Sequence, residues 1–163
     1  MRWKVAILTA SDKGAAGERE DTSAQVIREL MEEEIGGEIV EYRIVPDDQD
    51  EITAALIEMT EYYRPDLIVT TGGTGLGPRD VTPEATERVI ERKVPGIAEA
   101  MRAGAISRTR AAMLSRGIAG IRGRTLIINL PGSPKGVQES LMAIIDQLPH
   151  ALAILSGRET EHG

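Results

Sequence analysis

A glycine-rich run and two separated carboxylates carry most of the chemistry legible in this chain. The segment Thr70-Thr71-Gly72-Gly73-Thr74-Gly75-Leu76-Gly77-Pro78-Arg79-Asp80-Val81-Thr82-Pro83 joins an apolar run to a helix start. Its glycines let backbone approach a ligand closely and aim N–H groups at it, as nests and helix N-termini do for phosphates. Thr82 can cap the helix, Pro83 suits its first position and Glu84 complements its positive end. Arg79 can neutralise an anion and Asp80 can bind a metal ion. The competing reading is that the glycines only make a tight turn. Gly-Lys-Ser/Thr is absent, so this is not a Walker A loop, and the glycine spacing is not the dinucleotide fingerprint.

Pro46-Asp47-Asp48 supplies a second acidic position. Either aspartate taken alone reads as a helix cap. Asp47 and Asp80 meeting beside a phosphate loop would suit Mg²⁺, which accepts a couple of carboxylates plus waters and substrate phosphates. They could equally position substrate without touching metal. Leu130-Pro131-Gly132-Ser133-Pro134-Lys135-Gly136 repeats the strand-turn-helix device, with Ser133 as N-cap and Pro134 at the first helical position. It is either a plain helix start or a second anion or nucleotide site, with Gly132 allowing close approach and Lys135 adding a cation. Ala112-Met113-Leu114-Ser115-Arg116 carries no readable periodicity.

The chain of 163 residues fits one domain, and 41% hydrophobic with 28% charged residues is ordinary globular composition. With no Phe and one Trp the core must be aliphatic, and base-stacking platforms are not expected. A formal charge of -7 opposes nucleic-acid and anionic-membrane binding, so local cations must hold any phosphate; Lys13, Arg79, Arg116 and Lys135 are the candidates. The absence of cysteine removes thiolate chemistry, disulfides and Cys-based metal sites. Only His150, in a helical pattern, and His162, near the terminus, offer imidazoles, so triad and histidine–metal chemistry are poor fits. Met1-Arg2-Trp3-Lys4 is followed by too short an apolar run for a signal peptide, and no segment is long enough to span a membrane, so a soluble cytoplasmic protein is expected.

The elements that must position these residues alternate. Val5–Thr9, Glu38–Val45, Asp66–Thr70 and Thr125–Leu130 read as strands, the second at a sheet edge because it obeys alternation only in part. Helices are expected from a cap near Asp21 to Gly36-Gly37, through Ile52, Leu56, Met59 and Tyr63, over Pro83–Arg92, over about Gly96–Ala105, and as one long helix over Val137–Leu155. The stretch after Ala105 through Gly123 is ambiguous, and residues 156–163 are expected to form a mobile tail. The fold class is α/β: a single domain of 1–163 with three layers, a mostly parallel sheet and helices on both faces. Ser11-Asp12, Asp47-Asp48, Gly72–Asp80 and Pro131–Lys135 each follow a strand, so one end of the sheet gathers them.

Thr71-Gly72-Gly73-Thr74-Gly75, Arg79-Asp80-Val81-Thr82-Pro83-Glu84-Ala85-Thr86, Val45-Pro46-Asp47-Asp48 and Leu130-Pro131-Gly132-Ser133-Pro134 together resemble the molybdopterin adenylyltransferase family of MogA, MoaB and the G domains of gephyrin and its plant counterpart. The resemblance extends from Ala10-Ser11-Asp12 through Met113-Leu114-Ser115-Arg116 and Gly120-Ile121-Arg122-Gly123 to the final helix, and the chain looks closer to the compact G-domain type than to relatives with a C-terminal insertion. It implies ATP- and Mg²⁺-dependent transfer of AMP to the terminal phosphate of molybdopterin, releasing pyrophosphate. It further implies that Asp47 and Asp80 are the functional carboxylates and tentative Mg²⁺ ligands. Ser11, Asp12, Gly72, Gly73, Thr74, Gly75, Arg79 and Thr82 would face phosphate or molybdopterin, and Pro131, Gly132, Ser133, Pro134 and Lys135 the nucleotide. Which loop holds pterin and which adenine stays open. A homotrimer, or a hexamer as in some MoaB types, is implied, with residues 101–116 as a candidate subunit contact and a downstream metal-insertion protein as product acceptor. A pterin-binding or scaffold protein of the same fold without transfer activity is the alternative, and a generic nucleotide-binding α/β protein a third.

Overall fold

Uninterrupted burial along three strands requires a sheet covered on both faces, and the computed structural model, which describes residues 2–158, has that form. Strands β1 (Trp3–Ala10), β3 (Leu67–Thr71) and β6 (Thr125–Leu130) lie at its centre; every residue of β3 and β6, and β1 from Val5 onward, is buried. Strand β2 (Gly37–Val45) forms one edge, while β5 (Ala119–Arg122) and the two-residue β4 (Arg92–Lys93) complete the order β2-β1-β3-β6-β5-β4. The first four are mutually parallel, and β5 runs antiparallel to both of its neighbours, β6 and β4.

Successive side chains of β1 divide the core in two, as the period of a strand demands. Val5 and Ile7 join one cluster with Ile27 and Met31 of α2 (Thr22–Ile35), Met101 of α5 (Pro95–Ile106), Leu141 of α6 (Pro134–Met142) and Leu152 of α7 (Leu148–Ser156). Ala6 and Leu8 join the other, with Ile52 and Leu56 of α3 (Gln49–Glu58) and Ala85 and Val89 of α4 (Thr82–Val89). Each fully buried aliphatic side chain contributes about 1.5–3 kcal/mol. Helix α2 starts where Asp21 accepts the N–H of Ala24 at 3.2 Å and stops at Gly36, whose φ of 66° an L side chain would resist.

The expected edge position of β2 holds, and its broken alternation has a cause: the β1–β2 register slips between Val5 and Ala6, leaving Val40 as an extra residue that moves later side chains to the opposite face. The chain leaves β1 towards β2 and leaves β3 towards the opposite side of the sheet, so the crevice outside their carboxyl ends is the switch point where α/β proteins place ligands.

Three expectations need correction. The single helix over Val137–Leu155 is instead α6, a 3-10 turn at Ile145–Gln147 and α7, because Pro149 has no N–H to donate and its ring opposes the preceding turn. Its apolar stripe survives the break, since Leu141, Ile144, Ile145, Leu148 and Leu152 all remain buried. Helix α4 ends at Val89 rather than Arg92, and the N–H of Glu91 donates to the Ile121 carbonyl at 2.7 Å as the chain joins the antiparallel edge. Residues 11–20 contain a short helix α1 (Asp12–Ala15), and residues 106–123 hold a 3-10 turn (Arg110–Leu114) and β5. Of the expected tail, Ser156 closes α7 and Arg158 stacks 4.5 Å over the Trp3 ring; 159–163, with His162, lie outside the described residues.

Helices α5 and α6 pack at very close range, since a Cβ added at Gly104 would lie 2.5 Å from the Cβ of Ala143. Gly104→Ala is therefore expected to destabilise the fold by about 1–3 kcal/mol. Guanidinium unfolding with an unchanged midpoint would show that the two helices can separate freely.

Candidate functional site

Backbone geometry builds the centre of the site. Strand β3 ends at Thr71, and Gly72 and Gly73 follow with φ of 94° and 70°. Neither tolerates a side chain: a Cβ at Gly72 would meet the Ala10 carbonyl at 2.3 Å, and one at Gly73 would meet Thr82 Oγ1 at 2.3 Å. The loop folds back so that Thr82 N–H donates to the Gly73 carbonyl at 3.1 Å and Gly77 N–H donates to Asp80 Oδ2 at 2.9 Å. Added Cβ atoms at Gly75 and Gly77 would lie 3.0 and 2.9 Å from that same carboxylate oxygen, so Asp80 sits against the loop with no room between.

Arg116 holds this loop from outside. Its backbone N–H donates to the Thr74 carbonyl at 2.8 Å, Nε to the Gly75 carbonyl at 2.8 Å and Nη2 to the Asp80 carbonyl at 2.7 Å. Nη1 pairs with Glu84 Oε2 at 2.6 Å, and this contact with Arg116 holds the Glu84 carboxyl below the usual range. Three loop carbonyls thus turn towards one guanidinium-bearing residue. Among the described residues the N–H groups of Gly73, Thr74 and Gly75 make none of the loop's backbone hydrogen bonds, which leaves them as donors for an anion.

The carboxylates form an acidic cluster at the strand ends. Asp12 N–H donates to Asp47 Oδ2 at 3.0 Å, and Asp47 N–H returns to Asp12 Oδ1 at 3.0 Å. Arg79 grips Asp12 with two donors, at 3.1 and 2.8 Å, and its hydrogen bonds, followed by the Asp47 backbone contact, hold the Asp12 carboxyl below its ordinary value. Asp47 behaves oppositely: burial, reinforced by repulsion from Asp12 and Asp80 and countered in part by the Asp12 N–H, pushes its pKa up. Asp48 is the helix cap, accepting Glu51 N–H at 3.0 Å, which frees Asp47 for the cleft. Among the described residues no three His, Cys, Asp or Glu side chains converge as a protein cage for a metal. Asp47 and Asp80 fit Mg²⁺ only as two carboxylates sharing it with substrate oxygens and water.

Two clefts meet at this cluster. One, of about 390 Å³, has apolar walls from α5 and the 3-10 turn, including Ala98, Met101, Ala105 and Leu114, with Thr109 Oγ1 donating to Glu139 at 2.9 Å at its far side. The other, of about 510 Å³, is polar, with Ser11, Arg19, Asp21, Ser23 and Asp47 on its walls. Gly73, Asp80, Gly132 and Ser133 border both. The 131–133 turn is pinned there: Thr71 Oγ1 donates to the Pro131 carbonyl at 2.5 Å, Ser23 Oγ to the Gly132 carbonyl at 2.6 Å, and Ser133 Oγ accepts Gly136 N–H at 3.0 Å as the α6 cap.

The structure therefore brings Ser11, Asp47, Asp80, the Gly72–Gly75 loop and the Pro131–Pro134 turn together, with Asp12 and Arg79 bonded to them at the rim. Several residues differ from their expected roles. Lys135 lines neither cleft but a separate groove with Arg108 and Gln138, because one further step along α6 turns it away from Ser133. Thr82 takes the first helical position itself, without capping, and its hydroxyl lies fully buried beneath Gly73 without a hydrogen-bond partner. Arg79 and Arg116 are committed to carboxylates, and Lys13 and His150 line neither cleft. Missed residues include Asp21, which caps α2, accepts Thr9 Oγ1 at 2.6 Å and the Tyr42 hydroxyl, and raises Tyr42, after burial, to about 12. Asn129 was also missed; its type inside an apolar strand was the available signal.

The chain is similar to known proteins along nearly all of its length. A family profile described as "Probable molybdopterin binding domain" matches residues 6–150. The molybdopterin adenylyltransferase of Helicobacter pylori strain 26695 is 43% identical, over 94% of this chain and 88% of its own length. The cinnamon molybdenum cofactor synthesis protein of Drosophila melanogaster is 42% identical over 91% of this chain but only 25% of its own length. The solved structure of the molybdopterin biosynthesis enzyme MoaB from Thermus thermophilus superposes with a TM-score of 0.90 at 52% identity, covering 95% of this chain and 97% of that one.

The raised pKa of Asp47 has a defined sign. The folded protein takes up this proton more readily than the unfolded chain, so at neutral pH the carboxylate opposes folding, and the opposition fades as pH falls through the folded value. Asp47→Asn, which keeps an acceptor for Asp12 N–H, is expected to melt at or above the wild-type temperature at pH 7.5, with the difference shrinking towards pH 4. Calorimetry across that range checks it; a variant that melts well below wild type at pH 7.5 would contradict the sign.

Proposed function

The chain belongs to the molybdopterin-binding domain family of molybdenum cofactor biosynthesis, and on that premise we propose that it is a molybdopterin adenylyltransferase. The reaction is transfer of AMP from ATP to the terminal phosphate of molybdopterin, with pyrophosphate released. The observation that carries this reading is the junction of two unlike clefts at Gly73, Asp80, Gly132 and Ser133, with Asp47 beside it in the second cleft. Two substrates, each with a phosphate end, can lie in the two clefts with those ends meeting at the glycine loop.

A terminal phosphate oxygen of molybdopterin attacks the α-phosphorus of ATP, forming a P–O bond as the bond to the β-phosphate bridging oxygen breaks. The nucleophile is already anionic, so no histidine or cysteine base is required, and alignment plus charge stabilisation carry the catalysis. The outward N–H groups of Gly73, Thr74 and Gly75 hold phosphate oxygens in line, and Ser133 with the Gly132 backbone bounds the reacting phosphates from the other side. Asp12, Asp47 and Asp80 make the junction negative, and both nearby guanidinium groups are already paired with carboxylates. Triphosphate binding therefore calls for a divalent cation; Mg²⁺ held by Asp47 and Asp80 would neutralise the phosphate charge between them.

The same reading makes the protein a cytoplasmic homotrimer, or a hexamer built from trimers, that passes adenylylated molybdopterin to a metal-insertion protein. Met113 and Leu114, each 50% exposed in the 3-10 turn, support a subunit contact there.

Mass spectrometry after anaerobic incubation with molybdopterin, ATP and Mg²⁺ tests the activity. Adenylylated molybdopterin and pyrophosphate are expected, with Asp80→Asn lowering turnover about 100-fold and shifting the melting temperature little. Omitting Mg²⁺ is expected to abolish nucleotide turnover. Pterin that binds but remains unmodified in the complete mixture would instead identify a binding protein of the same fold.

A further inference from the structure

Asn129 is a buried amide near the carboxyl end of β6, flanked in its strand by Ile127, Ile128 and Leu130 and paired with Thr70 on β3, and it is only 1% exposed. All of its visible hydrogen-bonding capacity is used. Nδ2 donates to Thr70 Oγ1 on β3 at 3.0 Å and to Thr86 Oγ1 on α4 at 2.9 Å, while Oδ1 accepts the N–H of Ile118 at 3.2 Å. Its backbone N–H also donates to the Ile118 carbonyl at 3.0 Å, so one residue grips both polar groups of Ile118. An apolar residue would suit the strand better by burial alone, and a buried polar network of this kind is worth keeping where it selects one geometry.

The groups it ties together are the supports of the glycine loop. Ile118 lies two residues beyond Arg116, whose backbone and guanidinium bind the carbonyls of Thr74, Gly75 and Asp80. Thr86 lies on the same helix as Glu84, the carboxylate that pairs with Arg116. Thr70 lies on the strand that leads into the loop, two residues before Gly72. Gly117 packs between them, since a Cβ there would sit 3.1 Å from the Asn129 carbonyl oxygen.

We propose that Asn129 is a positioning residue for the phosphate-binding loop, acting through Arg116: by fixing segment 115–118 against β3 and α4, it sets where the guanidinium stands and so which way the loop peptides face. The inference rests on the proposed adenylyl transfer for its effect on rate, but its structural content is read without any substrate. Loss of the clamp leaves Arg116 paired with Glu84 and displaced relative to the loop, and the loop carbonyls then lose their fixed acceptor geometry while the sheet persists.

The test is amide hydrogen exchange on the intact protein for Asn129→Ser, Thr86→Val, Arg116→Gln and the Asn129→Ser/Arg116→Gln double variant, with adenylyl transfer measured in parallel. Thr86→Val removes a single acceptor and keeps the fold if the serine variant does not. Exchange at the hydrogen-bonded loop amides of Gly77, Asp80, Thr82 and Arg116 is expected to rise at least about tenfold while Val5–Leu8 stays protected, and the double variant is expected to exchange no faster than Arg116→Gln alone, as a shared route requires. Turnover is expected to fall with loop exchange across the set. Uniform exchange across β1 and β3, an unchanged loop, or a double variant showing the product of the two single effects would overturn the proposal. A wild-type protein without transfer activity would overturn the functional reading and leave the exchange result standing.

Discussion

A peptide loop cannot present a row of N–H donors to a ligand unless something else accepts the burden of its carbonyls, and here that task falls to Arg116. Its backbone N–H holds the Thr74 carbonyl, and its guanidinium holds those of Gly75 and Asp80, a fixed, planar donor set placed on backbone oxygens. The glycines, Asp80 and the two clefts all take their places from this arrangement. A lysine would offer one point of charge and no fork, so the loop's orientation would no longer be determined by a single side chain.

The same arrangement explains why an acidic protein can handle polyanionic substrates. Arg79 and Arg116 are each neutralised by a carboxylate, so the junction does not present free positive side chains. Under the proposed reaction, attraction would come instead from backbone dipoles that cannot ionise, and the nearby aspartates would make anion binding conditional on a cation arriving with it.

Much of the framework was legible because burial and periodicity act locally. Residues 126–130 form an apolar run interrupted only at Asn129, Asp21 stands one residue before a helix with an amphipathic repeat, and the Gly72–Asp80 run announces a ligand turn in its composition alone. The errors share a different cause. The apolar stripe from Leu141 to Leu155 continues smoothly through Pro149, so periodicity concealed a break that the proline's missing donor enforces. The slip at Val40 depends on pairing with β1, and no single strand encodes it. Arg116 was singled out as a cation for the ligand, whereas tertiary contacts aim it at carbonyls; Lys135 was placed correctly along the chain but on the wrong side of its helix. Sequence marks where charge resides more reliably than where it points.

The ridge between the clefts has a further consequence for turnover. Under the proposed transfer each substrate would occupy one side of Gly73 and Gly132 and their joined product would span both, so each half would hold the other at high local concentration. Such a molecule leaves only when both ends detach within the same short interval, and departure is slower than for either substrate. Residence on the enzyme would then shield the product from bulk water, making the geometry that joins two molecules also the one that stores the result.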